Sequence, residues 1–96
     1  MKARLNKENA TKLRQIVGKK IFAERTSREW PRRLLIEKTG YSISAIVSWE
    51  KFQSLPTVPA LIALSSAFGN IDLVSYKEEA EQELLAKQKD KGGKEA

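Results

Sequence analysis

The chain has neither cysteine nor histidine in its 96 residues, and it holds only 3 prolines, 5 glycines and 1 methionine. Without cysteine there is no disulfide framework. Without cysteine and histidine the commonest zinc sites are excluded, and a carboxylate-only metal site would need an acidic cluster, which only the last part of the chain offers. No metal and no cofactor is therefore expected. With no His or Cys, and no Ser beside a plausible base, nothing assembles a nucleophile or an acid–base pair, so an enzyme and catalytic residues are not expected either. Long hydrophobic runs are also missing, the longest being the five residues 60–64. Neither secretion nor membrane insertion is supported, and the expectation is a cytoplasmic protein with no membrane partner.

Acidic residues are scarce at one end. Residues 1–33 carry 11 Lys or Arg against Glu8, Glu24 and Glu29, a balance of +8, while the remainder carries −2, within a net charge of +6. The basic end is a candidate contact surface for a polyanion. The plainer alternative is a solvated arm that aids solubility. Charge alone does not choose among DNA, RNA and membrane. The length fits one small domain with a single modest core.

Residues 1–9 are polar and basic and read as a flexible arm. From residue 10, Leu13, Ile16, Val17, Ile21 and Phe22 recur at helical spacing with Lys19, Lys20 and Arg25 between them, which predicts a helix over 10–28. Trp30-Pro31 interrupts it. Proline is tolerated in a first helical turn, so a second helix is expected from about Pro31 to Thr39, with Leu34, Leu35 and Ile36 on its buried side. Gly40 is suited to the left-handed conformation that ends such a helix. Residues 41–49, YSISAIVSW, are ambiguous: the alternation of apolar residues with serine reads as a strand, whereas Tyr41, Ile46 and Trp49 also share one face of a helix that Ser42 or Ser44 would cap. A proline loop precedes a compact apolar helix over 58–68, which Gly69-Asn70 ends. Asp72 is placed to cap a last helix over 73–86 with Leu73, Tyr76, Ala80 and Leu84 along one stripe. Residues 87–96, with Gly92-Gly93 and alternating charges, read as a disordered tail.

The order helix, helix, glycine turn, short helix, proline loop, apolar helix resembles the helix-turn-helix domain of the lambda repressor and Cro family, also called the XRE family. The resemblance spans residues 17–72 without a gap. It rests on Gly18, Ile21 and Arg25 in the first helix, then on Gly40, Ile46, Glu50 and Pro56 at fixed offsets. It implies an all-α, four- to five-helix lambda-repressor-like DNA-binding domain over 10–72, helices 2 and 3 forming the motif, followed by the helix of 73–86 and the tail. It resolves residues 41–49 as helix, because a lone strand would have no partner and its neighbours would lack a helix to pack on. It also implies that Arg25 and Glu50 form a partly buried ion pair, where the bland alternative is two unconnected surface charges.

In such a family helix 3 enters the major groove of double-stranded DNA and helix 2 lies across the backbone. Carried over by position, Ser42, Ile43, Ser44, Val47 and Ser48 face bases, and Arg32, Arg33, Lys51 and Gln53 face phosphates. The chain departs from the family pattern in having no Gln, Arg, Asn or Lys on the base-facing surface. It also has Ile36 where a small residue packs under the turn, Phe52 where glycine ends helix 3, and Pro31 where a Ser or Thr cap is common. The function implied is a transcriptional regulator, a repressor acting as a homodimer on a palindromic operator, like short phage or mobile-element repressors in a bacterial or phage-infected cell. The alternative is a protein-interaction module, antitoxin-like or antiactivator, that docks a protein partner through the apolar surface of helix 3. Leu73, Tyr76, Leu84 and Leu85 are the candidates for dimerisation. Leu73 and Tyr76 fit closure of the monomer core equally well.

Overall fold

The computed structural model describes residues 4–95. Residues 1–3 and residue 96, parts of the expected arm and tail, lie outside the described residues. The described chain is entirely helical: α1 Lys7–Ser27, α2 Arg32–Thr39, α3 Ile43–Glu50, α4 Val58–Phe68 and α5 Leu73–Glu95. Residues 41–49 are therefore turn and helix, with no strand among the described residues. None of the described helices is long and apolar enough to cross a membrane.

Each helix begins and ends for a local reason. Asn6 caps α1 by accepting from the Asn9 amide at 2.8 Å, Ser42 caps α3 by accepting from Ala45 at 3.1 Å, and Thr57 caps α4 by accepting from Ala60 at 3.3 Å. At α5 Asp72 accepts from the Ser75 amide at 3.1 Å and from its hydroxyl at 2.8 Å. These two bonds hold the Asp72 carboxyl below its usual pKa range, the backbone bond contributing most. Pro31 precedes α2 as an extended N-cap with no side-chain cap bond, so the helix starts one residue later than expected. Gly40 and Gly69 close α2 and α4 in the left-handed region, at φ 80° and 92°.

The core forms where the apolar faces converge. In α1 the buried residues Leu13, Val17 and Ile21 fall on one four-residue row, which Asn9 and Arg25 extend at its two ends. That row packs with Leu35 of α2, Ile46 and Trp49 of α3, Leu61, Leu64 and Phe68 of α4, and Leu73 and Leu84 of α5. α1 packs on α5 and α3, α2 packs on α4 and α3, and α4 on α5. Ser65 joins the last two, its hydroxyl accepting from the Leu73 amide at 2.9 Å and donating to the Leu61 carbonyl at 2.8 Å. Ile36, at the place of a small family residue, is partly buried against this core.

Three expectations need correction. Helix α1 begins at Lys7, not near residue 10, and α5 continues to Glu95, past residue 86. The two helices are antiparallel and fastened to one another. The Gln88 side chain accepts from the Asn6 amide at 2.8 Å and from Asn9 Nδ2 at 3.1 Å, and donates to the Arg4 carbonyl at 2.7 Å. Leu84 belongs to the common core and is 7% exposed, and Leu73 is 1% exposed. Both are core residues of the monomer, so neither is available to a second chain. Tyr76 remains 36% exposed, beneath Lys20 Nζ at 5.2 Å, and Leu85 is half-buried.

Candidate nucleic-acid interface

The surface that the resemblance assigns to DNA is built around one buried carboxylate. Glu50, the last residue of α3, has a side chain 1% exposed. It accepts from Arg25 Nε at 2.7 Å and Nη2 at 2.9 Å, a bidentate pairing, and from Arg32 Nε at 2.9 Å. Arg25 Nη1 donates to the Trp30 carbonyl at 2.8 Å. One residue each from α1, α2 and α3 therefore meet through charge, and the junction sets how α2 and α3 sit against α1. No buried polar side-chain atom among the described residues lacks a partner.

Close approach of α3 to α1 depends on Gly18. A Cβ there would run into the Trp49 carbonyl oxygen and stand 2.8 Å from Phe52 Cδ1. Phe52 follows α3 at φ 66°, the place where glycine is common. Its amide donates to the Trp49 carbonyl and the Gln53 amide to that of Ser48, the paired bonds of a Schellman ending. The ring lies against Gly18, and Arg14 Nε donates to the Phe52 carbonyl at 3.2 Å, so the loop after α3 is tied to α1. Glu29 ends α1 in the same way, at φ 59°.

Of the expected base-facing residues, Ser42, Ile43 and Ser44 are exposed, Ile43 by 47%. Val47 and Ser48 are half-buried, and the Ser48 hydroxyl bonds that of Ser54 at 2.7 Å. Of the expected phosphate contacts, Arg33, Lys51 and Gln53 are exposed at the start of α2 and in the loop after α3. Arg32 differs: its Nε belongs to the Glu50 cluster and its side chain is 33% exposed, so its first role is to hold α2 on α3.

Much of the basic excess at the start of the chain is likewise structural. Arg28 Nη1 donates to the Glu24 carboxylate at 2.7 Å, and its Nη2 donates to the Phe68 carbonyl at 3.0 Å and to Asn70 Oδ1 at 2.8 Å. Its guanidinium also lies over the rings of Trp30 and Phe68, which stack 5.8 Å apart. Lys20 pairs with Glu24 at 2.8 Å. Lys20 and Arg28 together hold the Glu24 carboxyl below its usual pKa. Sequence reasoning misses Arg28 because its partners in α4 and beyond are forty residues away. It also misses the exposure of Val58 and Ile62 on α4, 48% and 56%, because a helix without charged residues offers no polar stripe to mark its outer side.

Compared with protein-family models, characterised proteins and solved structures, the chain matches none. The functional reading therefore rests on this geometry and on the residues that carry it. Among the described residues no group of His, Cys, Asp or Glu is arranged to hold a metal ion.

Proposed function

We propose that the chain is a sequence-specific double-stranded DNA-binding regulator of transcription, a repressor that acts as a homodimer on a palindromic operator. The observation that carries the reading is an exposed first turn of α3 held by a buried Arg25–Glu50–Arg32 junction and flanked by exposed Arg33 and Lys51. A helix fixed this firmly and bare of neighbours on its outer side can be inserted into a groove without rearrangement, and two flanking cations fit the backbone strands beside that groove. In this reading α2 and α3 form a helix-turn-helix. Arg33, Lys51 and Gln53 position it on phosphates, and Ser42, Ile43 and Ser44 meet base edges, with Val47 behind them. Hydroxyls and one apolar side chain discriminate weakly, so selectivity draws on a second half-site and on DNA shape. Exposed Tyr76 on α5, half-buried Leu85, exposed Val58 and Ile62 on α4 and exposed Phe22 on α1 are the apolar residues outside α3 that a second copy could cover.

The deciding experiment is selection of bound duplexes from a random pool at two salt concentrations. Enrichment of a palindrome supports the reading, and absence of enrichment overturns it. Arg33→Ala with Lys51→Ala should weaken binding to all sequences alike, whereas Ile43→Ala should change which sequence is preferred. Arg32 is unsuitable for this test because its loss also disturbs Glu50.

The exposure of Ile43 favours one alternative, a docking surface for a protein partner on the same helix. Its apolar patch is small, because Val47 is half-buried and the nearby Phe52 ring is turned onto Gly18. Failure of DNA selection together with retention of a partner that Ile43→Ala abolishes would favour it.

A further inference from the structure

Four arginines are wholly or partly covered by the fold, and one of them differs from the rest. Arg25, Arg28 and Arg32 each pair with a carboxylate at 2.7 to 2.9 Å. Arg14, half-buried on α1, pairs with none among the described residues. Its Nε donates to the Phe52 carbonyl at 3.2 Å and its Nη2 to the Thr11 hydroxyl at 2.9 Å. Covering part of a guanidinium without pairing it costs free energy, and a carbonyl and a hydroxyl offset less of that cost than a carboxylate does. Nearby acids do not supply the difference. The acidic residues of α1 are Glu8, which faces Lys12, and Glu24, which holds Lys20 and Arg28. Residues 51–71 contain no Asp or Glu at all.

The guanidinium is also left open on one side. A guanidinium has five N–H donors and Arg14 uses two of them, so both on Nη1 and one on Nη2 remain. Nη1 makes no hydrogen bond among the described residues, and no buried side-chain nitrogen there lacks a partner, so Nη1 reaches solvent. The two bonds that are made hold the group still. Thr11 is itself fixed, its hydroxyl donating to the Lys7 carbonyl at 3.1 Å. An arginine anchored at two points loses less freedom on meeting a ligand than an exposed lysine does.

Its position is set by the loop after α3. Gly18, one turn along α1 from Arg14, receives the Phe52 ring, while Arg14 holds the Phe52 carbonyl. The neighbours of Phe52 are exposed Lys51 and exposed Gln53, with Cα atoms about 3.8 Å to either side. The amides of Lys51, Phe52 and Gln53 are each spent on a carbonyl of α3, so an anion at these residues is met by side chains. An unpaired guanidinium with an open end therefore stands beside the two residues that face phosphate in the DNA-binding reading.

We infer that Arg14 is a preset phosphate contact, which grips the duplex backbone together with Lys51 and so brings α1 into the interface. The inference rests on the DNA-binding reading above and adds a charged residue to it. The rival role is a neutral tie that only holds the loop against α1.

The test uses the full chain and a mixed-sequence duplex, with affinity measured across a salt series. Arg14→Gln removes the charge but keeps an amide able to donate to Phe52. Its slope of log K against log salt should be shallower than wild type by about 0.9, the change that one phosphate contact makes, and affinity near about 0.1 M salt should fall five- to tenfold. Arg14→Lys keeps the charge and should keep most of the slope. Thermal melts give the folded fraction of each variant, to which binding is normalised. The decisive comparison is made in the background of Lys51→Ala, where Arg14→Gln should lower the slope by about 0.9 again. A tie acting only through the loop would add nothing there, and that result overturns the inference. Loss of slope in Arg14→Lys as complete as in Arg14→Gln overturns it too. If Arg14→Gln retains the wild-type slope while Arg33→Ala with Lys51→Ala still weakens binding, the role of Arg14 alone has failed. If the wild-type chain binds no duplex, both readings fall.

Discussion

Removing the Glu50 carboxylate should be among the most damaging single changes in this chain. It accepts three charge-assisted hydrogen bonds in a site where its own side chain is 1% exposed and that of Arg25 10%. Glu50→Ala takes away the partner and leaves the Arg25 guanidinium buried with only the Trp30 carbonyl as acceptor. Breaking a buried pair from one side costs about 3 to 5 kcal/mol. A domain of this size has a total stability of about 5 to 10 kcal/mol, so the variant should be close to half unfolded under mild stress. Arg32→Ala should cost only about 1 kcal/mol, since that side chain is one-third exposed and Arg25 still satisfies both carboxylate oxygens. The double change Arg25→Met with Glu50→Leu removes both charges together, and should recover a large part of the loss suffered by Glu50→Ala. Urea denaturation followed by tryptophan fluorescence suits the question, because Trp49 adjoins Glu50 and the Trp30 carbonyl accepts from Arg25. The reasoning fails if Glu50→Ala costs less than about 1 kcal/mol, or if the double variant is no more stable than the worse single one.

Gly18→Ala should destabilise by about 2 to 3 kcal/mol, because the new methyl meets the Trp49 carbonyl and the Phe52 ring; thermal unfolding reads this, and a neutral result would mean that α3 is not held so close to α1. Glu29→Gly should stabilise by about 0.5 to 1 kcal/mol through relief of its positive φ, whereas Phe52→Gly, which relieves the same strain but loses the ring against Gly18, should give no gain or a net loss. Glu24 and Asp72 have depressed pKa values in the folded state, so the unfolded chain binds more protons in acid. The stabilisation from these groups is present above the unfolded values and is lost as pH falls through the folded ones, below about pH 4. Glu24→Gln should flatten the acid limb of a stability–pH curve, and an unaltered limb would remove the Lys20–Glu24–Arg28 cluster from the account.

What was legible in the sequence was mostly local. Gly40, Ser42 and Asp72 mark their helix ends through side-chain size and hydrogen-bonding capacity within four residues, and each sits at such an end. The meeting of Arg25 with Glu50 was expected only from the family pattern, and the two are 2.7 Å apart. What was not legible required knowing which distant segments meet. Asn6 could have been read as a cap, but not that Gln88, 82 residues away, accepts from its amide, nor that Leu84 belongs to the monomer core. Arg32 is expected at a phosphate contact, yet a buried carboxylate in the next helix draws it inward. The same holds for Ile62, whose exposure depends on which side of an uncharged helix faces the core.

Ser42 caps α3 by accepting from the Ala45 amide, and this commits one of its lone pairs. A hydroxyl so engaged still has its proton to offer outward. In the DNA-binding reading proposed above, that proton can address purine N7, guanine O6 or thymine O4, while a single lone pair is left to accept from the amino group of cytosine or adenine. Ser48 is similarly occupied by Ser54, so among the three serines of this surface only Ser44 keeps its full choice of partners. Under that proposed reading the cap that starts the helix also gives it a bias toward donating, set by the local requirement for a folded first turn.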